Sequence, residues 1–282
     1  MIPLVKPSRF SMTEVTRQFF KHHHEHAWTN FGPVHERAIE EYASFLFLKT
    51  GKVKHPVFAV NGTAAIELAI RSFNIQNPKI LVPAFTHVGT LNAAKRCGQV
   101  KVMNCLESDW QLPLEAFDTD ADIIVWVSPF GQFVGTALIE AVARSKNKKI
   151  VYDFAGAWGQ FPATEWPVCY SFHATKNWNC GEGALIMFDA SSQAEKARKL
   201  SNFDVLAGRE VGSYNGYNFK IDELRSAVFL SVLHQGMEEF QERVARHRST
   251  LYKYCDAFSK YNPDKGQPED SFPSLLVLGG FT

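Results

Sequence analysis

Short apolar runs recur along much of the chain, each closing on a turn former or a polar residue. They fall at Val57 to Val60, Lys79 to Val82, Val100 to Met103, Asp122 to Val127, Lys149 to Tyr152 and Ala184 to Phe188. Their length and β-branched content predict strands. Between several of them apolar positions repeat at helical spacing, as at Ile66, Ala69, Ile70 and Phe73. The alternation predicts an α/β fold, a mostly parallel sheet flanked by helices. Beyond Asp222 the period changes. Leu224, Ala227 and Val228 open one helix, while Met237, Phe240, Val244, Leu251, Cys255 and Phe258 mark a second, amphipathic one. Gln235-Gly236 is the break between them, Tyr261 to Asp270 reads as a loop, and Leu275 to Leu278 as a last strand. The expected division is a large domain over 1–235, including an N-terminal helical segment, and a long helix with part of a smaller C-terminal domain over 236–282.

A chain of 282 residues can build one large core and a smaller appendage. With 30 Lys and Arg against 29 Asp and Glu, the net charge of +1 recommends neither nucleic acid nor an anionic membrane as partner. The five cysteines (Cys97, Cys105, Cys169, Cys180 and Cys255) lack CxxC spacing, which fits reduced thiols rather than a disulfide framework or a zinc site. The start has no apolar leader region and no later run approaches membrane-spanning length, so a soluble cytoplasmic protein is expected.

In open parallel sheets ligands gather beyond the carboxyl ends of the strands. Asn61-Gly62-Thr63, Pro83 to His87, Ser128 to Gln132 and Asp153 all follow predicted strands. At Asn61-Gly62-Thr63 the free amides of a helix start and the Thr63 hydroxyl suit a phosphate, although an ordinary strand-to-helix turn has the same appearance. Asp153 precedes the small residues Ala155, Gly156 and Ala157. Its carboxylate suits the ring nitrogen of pyridoxal phosphate (PLP), and it suits a helix N-cap equally well. Lys176 lies five residues after Ser171 and just before Gly181-Glu182-Gly183. It reads either as a surface lysine or as an amine held for work on a carbonyl. Phosphate turn, aspartate and lysine arriving in that order favour PLP.

These segments carry a resemblance. Asn30-Phe-Gly-Pro33, Asn61-Gly-Thr-Ala-Ala65, Val82-Pro-Ala-Phe-Thr86, Pro129-Phe-Gly-Gln132, Ser171-Phe-His-Ala-Thr-Lys176 and Gly216-Tyr-Asn-Phe-Lys220 resemble the motifs of the DegT-type (DegT/DnrJ/StrS) sugar-nucleotide aminotransferases. The resemblance implies a PLP-dependent transferase of fold type I with a shortened C-terminal small domain. It implies that Lys176 is the Schiff-base lysine and general base, that Asp153 holds the pyridine nitrogen, and that Gly62, Thr63, Ala64 and Ser171 bind the cofactor phosphate. Asn218 would reach the cofactor phosphate of a neighbouring subunit, which makes the expected enzyme a homodimer. The implied reaction moves an amino group, with glutamate as donor, onto a nucleotide-linked keto sugar, for surface polysaccharide or a secondary metabolite.

Departures from the pattern bear on this reading. His87 stands where the family places an aromatic residue that stacks on the ring, and an imidazole can stack too. Gly156 stands where a glutamine or histidine usually sits beside the cofactor, so Trp158 or a substrate group would have to fill the space. Lys220 replaces an arginine and gives up its planar fork. The alternatives are a PLP-binding but catalytically weak chain that pairs with a longer relative, and a sugar dehydratase, which the family builds with histidine in place of Lys176. Lys21-His-His-His-Glu-His26 invites a metal, yet only His22 and His26 share a helical face, so a solvated helix or subunit contact is expected instead. Cys180 has no paired base and reads as a buried structural thiol.

Overall fold

A computed structural model describes residues 11–22, 30–176, 178–205 and 216–234. In chain order its elements are α1 (Met12–His22), α2 (Pro33–Thr50), β1 (His55–Ala59), α3 (Gly62–Ser72), β2 (Lys79–Pro83), α4 (Val88–Cys97) and β3 (Gln99–Met103). There follow β4 (Ile123–Val127), α5 (Thr136–Ser145), β5 (Lys149–Asp153), β6 (Val168–Ser171), β7 (Ala184–Phe188), α6 (Ser191–Ser201) and a helical stretch, α7, over 223–234. Each of the six apolar runs between Val57 and Phe188 read as a strand is one, with ends shifted by at most two residues. β6 was not expected. Its Val-Cys-Tyr-Ser is short and buried on both faces, so it carries no polar alternation to read.

The strands form a 7-stranded sheet in the order β1-β7-β6-β5-β4-β2-β3. Parallel pairing joins β3 to β2, β2 to β4, β4 to β5 and β5 to β6, and β7 runs antiparallel to both β6 and β1. The strand pleat divides the core in two. Val57, Ala59, Ile80, Val82, Ile123, Val125, Val151, Cys169, Ala184 and Ile186 face a layer built from α3, α4 and α6. Phe58, Leu81, Ile124, Trp126, Ile150, Tyr152, Val168, Tyr170, Leu185 and Met187 face the other layer, with α2, α5 and α7. Apart from the edge strand β3, whose side chains are exposed or half-buried, both faces are covered, which is why the strands read as continuous apolar runs.

The ends of α2 show how local and distant residues share the work. Gly51 caps the carboxyl end in the left-handed region (φ 68°), its amide donating to the Phe47 carbonyl. At the amino end Gly32 offers no side chain. The carboxylate of Glu223 on α7 caps instead, accepting from the amides of Gly32 (2.9 Å), Val34 (2.8 Å) and His35 (3.1 Å). The long helix and final strand expected beyond Gln235, and with them the domain boundary, lie outside the described residues.

Candidate active site

The chain leaves β2 in one direction to reach β3 and returns on the other side as β4, so the carboxyl ends of β2 and β4 flank a switch point where an open parallel sheet binds ligands. The residues after β1, β2, β4, β5 and β6 all emerge on that rim. Because β7 runs back antiparallel from Ala184, the 172–183 connection carrying Lys176 stands on it as well.

At the turn after β1 Asn61 caps α3, its Oδ1 accepting from the Ala64 amide at 2.9 Å. The amide of Ala64 is therefore already engaged, and those of Gly62 and Thr63 are the ones left without an intrahelical acceptor. A methyl group on Gly62 would sit 3.2 Å from Ser171 Cβ and 3.4 Å from its Oγ, so the turn and the end of β6 lie in close contact. A methyl on Gly89 would fall 2.5 Å from Thr63 Oγ1 and 2.9 Å from His87 Nδ1, which brings α4 to the same place. The expected residues Gly62, Thr63, His87 and Ser171 thus converge from β1, β2 and β6.

His87 has a second task that its sequence position did not reveal. Its Nδ1 accepts from the Gly89 amide at 3.0 Å and caps α4. One turn on, buried Thr90 donates from Oγ1 to Asp153 Oδ2 at 2.6 Å, while Asp153 Oδ1 accepts from the Ala155 amide at 3.1 Å. Asp153 ends β5 and no helix follows it, so the N-cap alternative is not realised. Thr90 is a site residue that sequence reasoning missed. The Thr86 hydroxyl, beside His87, is buried without a partner among the described residues.

Lys176 is half-buried in the loop between β6 and β7. Bonds from the Phe172 amide to the Gly183 carbonyl (2.8 Å), from Ala174 to Gly181 (2.9 Å) and from Cys180 to Phe172 (3.0 Å) close the loop on itself. The Lys176 backbone is held by its own amide, donating to the His173 carbonyl, and by its carbonyl, accepting from Asn179 Nδ2 at 2.7 Å. Gly183 lies at φ 138°, and a methyl there would fall 2.4 Å from Phe229 Cζ on α7, so only glycine lets the loop return.

Asn218 stands apart from this group. It is exposed, and its Oδ1 accepts from Lys220 Nζ at 2.5 Å. Trp158 does not fill the space beside Gly156, contrary to one expectation. It is buried in the core, stacked on Phe45 (5.8 Å) and on Trp178 (5.3 Å). Cys180 is a buried thiol pushed up by desolvation, as read. Cys97, Cys105, Cys169 and Cys180 are all free. Among the described residues no group of histidine, cysteine and carboxylate side chains could hold a metal, and residues 23–26 of the histidine run lie outside them. No helix of the described residues is long and apolar enough to cross a membrane.

A mostly parallel sheet with one reversed strand next to the lysine loop is the fold of PLP-dependent transferases of fold type I. Two solved structures share it: the sugar aminotransferase CalS13 from Micromonospora echinospora (TM-score 0.77, 19% identity, 97% of this chain and 78% of that one), and NtdA from Bacillus subtilis with bound cofactor PMP (TM-score 0.76, 18% identity, 94% and 63%). The model of the DegT/DnrJ/EryC1/StrS aminotransferase family matches residues 12–272, and the chain belongs to that family, whose aminotransferases are PLP-dependent. GDP-perosamine synthase of Vibrio cholerae is 26% identical over 254 residues, covering 83% of this chain and 65% of the relative. The chain spans just under two thirds of the length of curated relatives it matches, 65% of one and 64% of another.

Proposed function

We propose that this chain is a PLP-dependent aminotransferase that places an amino group on a nucleotide-linked keto sugar, with glutamate as donor, in amino-sugar biosynthesis. The observation that carries the reading is the convergence of Gly62, Thr63 and Ser171 on one small space, beside an Asp153 carboxylate oriented by Thr90. The donor set fits PLP, because amides and hydroxyls suit a phosphate and the fixed carboxylate suits a protonated ring nitrogen.

When bound, PLP supplies an aldehyde carbon and an electron-withdrawing ring. The Gly62 and Thr63 amides, with the Thr63 and Ser171 hydroxyls, would hold its phosphate. Asp153, with one oxygen held by Thr90, would present the other side of its carboxylate to the ring nitrogen, and His87 would lie against the ring. Lys176 Nζ would secure the aldehyde carbon and then carry the substrate proton. Asn218 would complete the phosphate site of a second copy, making the protein a homodimer. Residues 1–235 would form the cofactor-binding unit and 236–282 part of the domain that closes on the substrate. A sugar nucleotide is favoured as acceptor by the family and by the relative GDP-perosamine synthase, whose name gives a nucleotide-linked amino sugar as product.

The test is reconstitution with PLP. A visible band that is absent in Lys176→Ala, and that glutamate converts to the amine form of the cofactor, is expected. A native protein without the band, a band that survives Lys176→Ala, or one that no amino donor alters would overturn the reading.

A further inference from the structure

Glu67 stands on α3, one turn past the phosphate cradle, with its carboxylate fully shielded from solvent. Its Oε2 accepts from Arg96 Nε at 2.7 Å and its Oε1 from Arg71 Nε at 3.4 Å. The Arg71 guanidinium lies over the Tyr217 ring at 5.2 Å and donates to the Arg96 carbonyl at 2.5 Å. The sugar nucleotide chemistry described above uses none of these groups.

Tyr217 belongs to an extended segment, residues 216–220, that is pinned along its backbone. The Tyr217 amide donates to the Leu200 carbonyl (2.7 Å), its carbonyl accepts from Phe203 (2.8 Å), and Phe219 bonds to Ser201 and Val60, each at 2.9 Å. Gly216 allows this approach, since a methyl there would fall 1.9 Å from the Asp204 amide nitrogen. Side chains alternate in such a segment. Tyr217 and Phe219 stack on one side, 4.5 Å apart at 4°, and Asn218 meets Lys220 on the other, exposed side. Anchoring Tyr217 inward therefore sets the outward aim of Asn218.

We propose that Glu67 is a positioning residue that acts through Arg71 and Tyr217 to fix Asn218 for the cofactor site of a second copy of this chain. The proposal rests on the reading above in which Asn218 serves the neighbour's cofactor. α3 then serves two sites: its first turn cradles a phosphate in its own protomer, and its second turn secures a residue offered to the partner's.

Hybrid dimers test this in trans. A Glu67→Gln chain is paired with an unmutated chain of different tag mass, loaded with PLP, dialysed and reduced with borohydride, and the cofactor on each chain is read by mass spectrometry. The expected result is cofactor loss from the unmutated chain, with release faster on the order of 10- to 100-fold and the dimer intact by light scattering. Glu67→Asp restores part of the retention, and Arg71→Met, which keeps Glu67 and the stacked ring but removes the guanidinium between them, reproduces the loss. Should Glu67→Gln fail to fold, Arg71→Met carries the same comparison. Loss from the mutated chain itself, or equal retention in both chains with only a lower melting temperature, overturns the proposal. An unmutated protein that takes no cofactor on Lys176 or forms no dimer instead refutes the proposed function, and is seen before any substitution is made.

Discussion

Asp153 and Thr90 show what one hydrogen bond can contribute. The 2.6 Å contact leaves the carboxylate a single orientation, and bonds to charged groups are the strong ones. Thr90→Val keeps the shape and removes the donor, and PLP affinity should fall by about tenfold or more. Spectroscopic titration measures it, and an unchanged affinity would count against the role given to Thr90. His35 supplies a pH dependence. It is buried between the rings of Phe31 (5.0 Å) and Phe58 (5.7 Å), and desolvation, with Arg198 nearby, pushes it down to about 3. An unfolded chain takes up this proton below about pH 6.5, whereas the folded one refuses it until about pH 3. The His35 contribution to stability is therefore complete above about pH 6.5 and lost as pH falls through that window. His35→Gln should lose less stability than the parent between about pH 6 and 4 in urea melts. Parallel profiles would show that the burial of His35 is immaterial.

At the scale of elements, α2 depends on α7 for its start. Glu223→Ala leaves three amides at the amino end of α2 without their acceptor, and should cost about 1–3 kcal/mol in urea unfolding. Glu223→Gln, which keeps one acceptor oxygen, should recover part of it. A cost within error for Glu223→Ala would mean that water caps α2 as well as the carboxylate does. Gly183→Ala would drive a methyl into Phe229 from a backbone angle that L-residues avoid, so a loss of about 1–3 kcal/mol is expected. Since Gly183 also receives the Phe172 amide at the neck of the lysine loop, that variant should bind PLP more weakly too. Every strand but β6, together with α3 and α7, was legible in its apolar spacing. The cap on α2 was not, because Glu223 lies far along the chain from the amides it serves.

The whole molecule has two unlike ends. The rim carries the candidate site, while the opposite end of the sheet is closed by Lys54, just before β1. Its ammonium is fully buried, donating to the Thr164 carbonyl at 2.5 Å and to Asp189 Oδ1, after β7, at 2.7 Å. The two partners are unequal, since Asp189 keeps contact with water and Lys54 does not. Asp189→Ala strands a buried cation and should cost about 3 kcal/mol, whereas Lys54→Met removes the charge itself and should stay within about 1 kcal/mol of the parent. Neither should alter PLP retention, because both act at the far end of the sheet. Equal losses in the two variants would refute the asymmetry, and a change in retention would refute the separation of the ends.

The order of residues was enough to determine the alternating architecture and the placing of Asn61-Gly62-Thr63 and Asp153 just after strands, and to single out Lys176 by its framing. Each of these is a local property, an apolar run followed within a few residues by a turn former or a charged group, and so it survives in the linear text. The tertiary structure alone decided that β7 runs backwards and so brings the Lys176 loop to the rim. It decided that Ala64 is taken by Asn61, that Thr90 holds Asp153, that Trp158 belongs to the core, and that Arg71 lies between Glu67 and Tyr217. Those facts depend on which distant side chains share a space after the two helical layers close over the sheet. A partner 63 positions away leaves no spacing to read.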